Sequence, residues 1–116
     1  MNARKIVLAK FPFTDLSSSK RRSVLVIAKS KSQENDFVVA YILSVIPENL
    51  SETDQIITPL DKDYIETGLT RSSIFRMDKI ATLEQSVFVG ELGEISIELF
   101  EELNMKLKIV LDLVCY

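Results

Sequence analysis

Three consecutive basic residues, Lys20, Arg21 and Arg22, follow a short aromatic segment in which Phe11 and Phe13 flank a proline. Guanidinium groups bind phosphate oxygens through paired hydrogen bonds, and aromatic rings stack on bases. A loop that only reversed the chain would need neither feature. The cluster therefore indicates a site for a strand of nucleic acid, in which the basic residues hold phosphates and Phe13, the aromatic nearer the loop, stacks on a base. The alternative is that both phenylalanines belong to the core, as aromatics that bound a strand more often do.

A second pair of residues, Arg76 and Asp78, lies two positions apart in a strand-like segment. Residues with this spacing project from the same face of a strand, about 6.5 Å apart. A cation and a carboxylate so placed could flank one phosphate and act on it. The alternative is a local ion pair on an exposed strand face, which is a common structural feature.

Histidine is absent from the chain, and Cys115 is its single cysteine. The sequence therefore excludes a histidine general base, a Ser-His-Asp triad, an internal disulfide and a multi-cysteine metal site. Any acid–base chemistry would have to use carboxylates or the phosphate itself, with arginine as the partner for phosphate oxygens. The residue types thus offer no histidine or multi-cysteine site for a metal, and we expect no cofactor.

The net charge of −3 hides an uneven distribution. Residues 1–31 carry eight lysines and arginines against one acid, Asp15, whereas the rest of the chain carries six basic and sixteen acidic residues. This division predicts one surface that attracts phosphates or an acidic partner. The alternative is that the lysines merely solvate the exposed faces of edge strands.

The length and hydropathy of the chain predict one domain spanning residues 1–116. No apolar run approaches the roughly 20 residues that a membrane span requires, and the N-terminus lacks the pattern of a signal peptide. We therefore expect a cytoplasmic protein that does not enter a membrane.

The elements that would position these residues are mostly strands. Short apolar runs rich in β-branched residues predict strands at 6–9, 24–28 and 37–43, with weaker ones at 55–58, 73–80 and 86–89. Residues 59–72 contain proline, glycine and mixed charges, so they predict a loop with room for one helical turn.

The last twenty residues change to helical spacing. Ser96 is a predicted N-cap, and Glu102 and Lys106 are spaced as an i,i+4 ion pair. The apolar positions of this helix are Leu99, Phe100, Leu103, Leu107, Val110, Leu111 and Val114. Several short strands followed by one helix predict a mainly β fold, a small and strongly bent antiparallel sheet or barrel with a C-terminal α-helix.

Residues 6–27, Ile-Val-Leu-Ala-Lys-Phe-Pro-Phe-Thr-Asp-Leu-Ser-Ser-Ser-Lys-Arg-Arg-Ser-Val-Leu-Val-Ile, resemble the start of the MazF/PemK family of toxin endoribonucleases. The resemblance continues through residues 37–44, 73–80 and 92–93. It implies an SH3-like antiparallel barrel with a C-terminal helix, usually a homodimer. It also implies metal-independent cleavage of single-stranded RNA by attack of the ribose 2′-hydroxyl. An antitoxin whose acidic, apolar C-terminal tail occupies the RNA groove would inhibit the protein.

The resemblance also assigns roles to individual residues. Arg22 matches the family's arginine at the end of the first loop, which implies stabilisation of the transition state. Arg76 and Asp78 match the Arg-x-Asp pair that serves as acid and base in the PemK branch. Lys20, Arg21 and Phe13 would contact the RNA beside them.

The chain departs from the family's pattern at several positions. Arg4-Lys5 replaces a Gly-Asp pair, Ser23 replaces a proline, and Leu43 replaces the threonine that assists catalysis in the MazF branch. Ser44 keeps a hydroxyl that could contact RNA, but strand alternation aims it at the opposite face unless the strand bulges or ends there. The PemK-type pair is therefore the better catalytic candidate.

These departures leave two alternatives to an endoribonuclease. The first is a catalytically impaired family member that binds an antitoxin or nucleic acid without cleavage. The second is a toxin of the same fold that inhibits a topoisomerase, an activity that would not need the basic cluster of the first loop.

Overall fold

Apolar, β-branched runs form the strands of one antiparallel sheet in this computed structural model, which describes residues 2–11 and 20–113. A strand lies at or next to each predicted position, but two bounds are corrected. Gln85–Val87 forms a short 3-10 turn, so the strand predicted at 86–89 begins only at Phe88, and the strand predicted at 55–58 ends at Ile57. Tyr64–Thr67 (α1) is the single helical turn expected within 59–72. The strands are Lys5–Phe11 (β1), Lys20–Lys29 (β2), Asp36–Leu43 (β3), Asp54–Ile57 (β4), Ser73–Glu84 (β5) and Phe88–Glu94 (β6), and the C-terminal helix is Ile97–Val110 (α2).

The strand order within this sheet is β4-β5-β3-β2-β1-β6, and all neighbours are antiparallel. The mainly β class with a C-terminal helix is thus confirmed. The hydrogen-bonded ladder does not close on itself, because β4 and β6 end the sheet on opposite sides. The structure is therefore a bent, open version of the predicted sheet or barrel.

Bulges supply the bend. Ala40 pairs with Ile80 while the next residue, Tyr41, pairs with Arg76, so residues 77–79 of β5 bulge out of the ladder. Further shifts in register interrupt the pairing of β1 with β6 and of β2 with β3. Because a bulge increases the local twist and re-aims side chains, these irregularities curve the sheet around its core.

Apolar clusters cover both faces of the sheet, which explains why its central strands are continuous apolar runs rather than alternating ones. The larger cluster lies beneath α2 and comprises Ile6, Leu25, Ala40, Ile42, Ile57, Phe75, Met77, Ile95 and Leu103. The cluster on the other face comprises Val7, Ala9, Val24, Val26, Phe37 and Val39. The central strands are therefore rigid supports for the polar residues at their ends.

Helix α2 begins as the sequence predicts, because the Ser96 hydroxyl accepts a hydrogen bond of 3.1 Å from the Leu99 amide. It ends at Val110, so Leu111 follows the helix, and Val114 lies outside the described residues. The expected ion pair between Glu102 and Lys106 is absent from this part of the chain. The Lys106 ammonium instead donates to the backbone oxygen of Glu52 at 2.9 Å, which ties the helix to the loop before β4. Neither helix in the described ranges is both long and apolar enough to cross a membrane.

Candidate nucleic-acid interface

A cleft of about 570 Å³ opens where β2 begins, β3 ends and the loop after α1 leads into β5. Its apolar lining includes Ile42, Leu43, Leu69 and Leu92. No acidic residue lines the cleft in the part of the chain that the structure describes. Its polar lining consists of three arginines and four hydroxyl residues, namely Arg21, Arg22, Arg71, Ser23, Ser44, Thr70 and Ser73. A concave site with this composition favours a polyanion.

The first wall of the cleft comes from the start of β2. Antiparallel pairing places Arg22 opposite Ala9, Arg21 opposite Lys10, and Lys20 opposite Phe11. Arg22 is half-buried, whereas Lys20 and Arg21 are exposed. The structure therefore brings Arg21 and Arg22 into the cleft, whereas the preceding residue, Lys20, does not line it. The predicted stacking residue, Phe13, lies outside the described residues.

Ser44 reaches the cleft because β3 ends just before it. The strand stops at Leu43, so the alternation that would turn the hydroxyl away no longer applies. Ser44 and Ser23 line the same cleft, together with Leu43. The Ser44 hydroxyl that the sequence left in doubt thus lies at the site, and Leu43 contributes an apolar surface.

The second wall is the loop that follows α1, and two close approaches fix it. Gly68 ends α1 in the left-handed conformation, with φ +71°. A Cβ atom on Gly68 would collide with the carbonyl oxygen of Leu92, and one on Gly93 would collide with that of Glu66. The two glycines therefore let α1 and its loop lie directly against β6.

Arg71 in this loop is a site residue that the sequence analysis missed. Its carbonyl oxygen accepts a hydrogen bond of 2.9 Å from the Ser73 hydroxyl, while its side chain is exposed. Within residues 2–11 and 20–113, no carboxylate lies within ion-pair distance of Arg71. A usable signal was present, since Arg71 occupies an acid-free interval between Glu66 and Asp78 in an otherwise acidic half of the chain.

Arg76 meets a different environment at the centre of β5. Its Nε lies 2.9 Å from Asp54 Oδ1 and 3.5 Å from Asp78 Oδ1. Asp54 is nearly buried, with its side chain 3% exposed, and its Oδ2 accepts from the Ser51 amide at 3.0 Å. Neither Arg76 Nε nor Asp54 Oδ1 makes an aligned hydrogen bond, so their contact is an ion pair. The sequence analysis missed Asp54, because only the β4–β5 register brings it to Arg76.

The cluster of Arg76, Asp78 and Asp54 does not line the cleft. Arg76 pairs across the sheet with Tyr41, which pairs with Val24, so these residues share a face. Arg22 lies two residues from Val24 and therefore projects toward the same face, with its Cα about 12 Å from that of Arg76. Of the three predicted catalytic residues, only Arg22 lines the cleft; Arg76 projects toward the same face of the sheet as Arg22, and Asp78 lies within ion-pair distance of Arg76.

Two other N-terminal cations, Arg4 and Lys5, make structural contacts. Arg4 donates to the Ile95 carbonyl at 2.9 Å and lies 3.7 Å from Glu94. Lys5 lies 3.4 Å from Glu91 and 3.8 Å from Glu94. These contacts tie β1 to β6, so the Arg4-Lys5 pair is not part of the basic surface.

Among the residues described, no cluster of acidic, histidine or cysteine side chains could hold a metal ion.

The fold and the basic cleft are typical of small, mainly β proteins that bind polyanions. Comparison with known protein families identifies the family. Residues 2–111 match the family described as the PemK-like, MazF-like toxin of type II toxin–antitoxin systems. The chain therefore belongs to this family, whose toxins are generally endoribonucleases.

Solved structures share the fold at low sequence identity. An endoribonuclease in complex with its cognate antitoxin from a mycobacterial species has a TM-score of 0.74 and 16% identity, covering 100% of this chain and 99% of that one. The Mycobacterium tuberculosis toxin MazF-mt6 has a TM-score of 0.73 and 18% identity, covering 97% and 100%. The MazE–MazF structure from Deinococcus radiodurans has a TM-score of 0.72 and 17% identity, covering 97% and 96%. No curated protein sequence is significantly similar to the chain.

Proposed function

We propose that this protein is a toxin that cleaves single-stranded RNA in a sequence-specific, metal-independent reaction. The observation that carries the proposal is the cleft, where three arginines and four hydroxyl residues meet without an acidic lining residue in the described ranges. RNA presents a phosphate at every nucleotide, and arginine is the side chain best matched to phosphate oxygens.

The reaction needs no external cofactor. The ribose 2′-oxygen attacks the adjacent phosphorus and forms a new O2′–P bond, while the P–O5′ bond breaks. The products are a 2′,3′-cyclic phosphate and a free 5′-hydroxyl. Negative charge builds on the phosphoryl oxygens in the transition state, and Arg22 at the cleft supplies charge-assisted donors to them.

Proton transfer is assigned to Arg76 and Asp78. Of the two carboxylates beside Arg76, Asp78 is the exposed one, and it takes the proton from the 2′-hydroxyl. Arg76 donates to the leaving 5′-oxygen, and Asp54 holds its guanidinium from the buried side. Arg22 and Arg76 project from one face at a backbone separation of about 12 Å, which two long side chains can bridge around one phosphate.

The same cleft accounts for the proposed partners. Lys20 and Arg21 would hold the RNA on either side of the reacting phosphate, with Phe13 stacked on a base and Ser44 donating to the backbone. An antitoxin with an acidic C-terminal tail would compete for these cations. We also propose a homodimer, because α2 leaves the apolar side chains of Ile97, Met105 and Ile109 exposed.

The test is cleavage of a defined single-stranded RNA by purified protein in excess EDTA. We expect products with cyclic phosphate and 5′-hydroxyl ends, and no cleavage of a matched substrate carrying 2′-deoxyribose at the scissile nucleotide. Cleavage of the deoxy substrate, or cleavage that EDTA abolishes, would contradict the mechanism.

The acid–base assignment has its own variant. Asp78→Asn keeps the shape of the side chain but cannot accept the proton, so kcat should fall at least about 100-fold. Asp61→Asn, at an exposed acid of the loop before α1, is the matched control and should behave as the unmodified protein. Equal rates for the two variants would remove Asp78 from the reaction.

A second candidate function is binding without cleavage. Leu43 brings an apolar side chain into the cleft in place of the family's threonine, and Asp54 partly neutralises Arg76. Tight, salt-dependent RNA binding with no detectable products in the EDTA assay would favour this candidate.

A further inference from the structure

We infer that Arg71 and Arg21 together bind a second RNA phosphate, next to the one that Arg22 contacts. This inference rests on the proposed RNA-cleaving function and names its substrate class more closely. The preferred substrate would be a strand with at least two consecutive phosphates rather than a dinucleotide with one.

Strand geometry separates the arginines of β2 into two directions. Successive residues of a strand point to opposite faces, so Arg21 and Arg22 leave β2 in opposite directions and can reach different phosphates, although both line the cleft. Arg22 shares its face with Val24 and thus with Arg76. Arg21 projects to the other face, which it shares with Ser23. A strand of RNA passing the end of the sheet would meet Arg22 on one face and Arg21 on the other.

Arg71 supplies the partner that Arg21 needs. Both residues line the same cleft, although Arg21 comes from β2 and Arg71 from the loop before β5. The cleft's volume of about 570 Å³ lies within the range of sites that enclose a small ligand. A phosphate between these two guanidinium groups would receive donors from two separate elements.

Within the described ranges, the charge of Arg71 has no ion-pair partner, which distinguishes it from two other arginines. Arg4 contacts Glu94 and Arg76 contacts Asp54, each within 4 Å. Arg71 has no such partner among the residues described, and its side chain is exposed. A ligand phosphate would therefore gain attraction from Arg71 without first breaking an ion pair.

The backbone of this wall is already held in place. The Leu69 amide donates to the Thr67 hydroxyl at 3.1 Å, and the Ser73 hydroxyl donates to the Arg71 carbonyl at 2.9 Å. Gly68 packs against Leu92, where no larger residue would fit. Because the loop is fixed before binding, only the Arg71 side chain has to be ordered when a phosphate arrives.

The experiment separates binding from cleavage. A fluorescent single-stranded oligonucleotide with 2′-deoxyribose at the scissile position is titrated with each variant at several salt concentrations. Arg71→Ala should raise Kd about tenfold and make the slope of log K against log salt shallower by about 0.7, the value for one phosphate contact on a single strand. The Kd of Arg71→Lys should lie between those of the unmodified protein and Arg71→Ala, since lysine keeps the charge and loses the paired donors. The control Lys62→Ala removes an exposed cation outside the cleft and should change neither quantity.

Cleavage assays add a readout that a merely structural role would not produce. With a longer RNA, Arg71→Ala should raise KM about tenfold and leave kcat within about twofold. With a dinucleotide, which lacks a second phosphate, Arg71→Ala and the unmodified protein should have the same KM. The inference would be overturned if Arg71→Ala left the Kd and the salt slope unchanged, or if its only defect were a lower kcat. It would also be overturned if Arg71→Ala weakened the binding of an acidic peptide and left RNA binding unchanged. If the unmodified protein binds RNA and never cuts it, the proposed function fails while the binding data still decide the role of Arg71.

Discussion

Arg71 and Arg76 lie five residues apart in the chain, yet their surroundings differ. Arg71 stands on a fixed loop at the cleft, with an exposed side chain and no carboxylate within ion-pair distance in the described ranges. Arg76 lies in mid-strand between a nearly buried aspartate and an exposed one. The difference shows that an arginine's role depends on which carboxylates the fold brings to it.

The comparison also separates two kinds of stabilisation. In the cleft, the arginines have no carboxylate within ion-pair distance among the described residues, and β2 and the loop after α1 bring them to one site, so a polyanion is attracted. In the Arg76 cluster, the buried Asp54 needs the guanidinium, because an unpaired buried charge is strongly unfavourable. We therefore expect substitutions in the cleft to impair function and substitution of Asp54 to impair folding. Asp78, the exposed acid beside Arg76, has a proposed role in cleavage and should contribute little to folding.

The largest expected effect is on the cleft side of this comparison. In the proposed mechanism, Arg22→Ala removes donors to the charge that develops on phosphorus, so the cleavage rate should fall about 10²- to 10³-fold. Lys29→Ala, an exposed cation at the far end of the same strand, should leave the rate unchanged. Single-turnover cleavage with thermal unfolding as a folding check would measure both. Full activity in Arg22→Ala would remove this residue from the mechanism.

The next effect lies in the Arg76 cluster. Asp54→Ala leaves the Arg76 guanidinium without its buried partner, so the free energy of unfolding should fall by about 3 kcal/mol. Asp78→Ala removes an exposed partner and should lower it by less than about 1 kcal/mol. Urea unfolding of both variants provides the measurement. A larger loss for Asp78→Ala than for Asp54→Ala would show that the buried contact is not the important one.

A smaller effect, an increase in kcat, is expected from a substitution at Leu43 in the cleft. Leu43→Thr introduces a hydroxyl at the cleft, and a hydrogen bond to a charged phosphate should raise kcat about tenfold. Leu43→Val has nearly the same shape as the threonine variant and lacks the hydroxyl, so it should give no gain. If the two variants have the same rate, the missing threonine is not what limits this chain.

The smallest effect provides a baseline away from both arginine clusters. Ser96→Ala removes the cap of α2 and should lower the free energy of unfolding by about 1 kcal/mol, with cleavage unchanged below the unfolding transition. Ser96→Asp retains a capping oxygen and should recover most of that stability. A loss of cleavage in folded Ser96→Ala would mean that stability and activity are coupled more widely than the comparison implies.

Local patterns made most of the fold predictable. The β-branched runs that form β2 and β3 and the helical spacing after Ser96 each depend on neighbouring residues alone. Arg21 and Arg22 could be predicted as site residues because a run of consecutive basic residues is recognisable from the sequence, whether it forms a strand or a loop. The helix end at Val110 and the Lys106–Glu52 contact were not predictable, since they depend on what α2 packs against.

The sequence by itself determined the mainly β class, the capped C-terminal helix, the absence of histidine chemistry and the basic start of β2. Only the tertiary structure decided which of the described cations have a carboxylate within ion-pair distance. Asp54 reaches Arg76 through the β4–β5 register, and Arg71 reaches the cleft through the contact of Gly68 with Leu92. Both contacts join residues more than twenty positions apart, so no local pattern encodes them. The physical reason is that charge compensation acts across a few ångströms of space, whatever the separation along the chain.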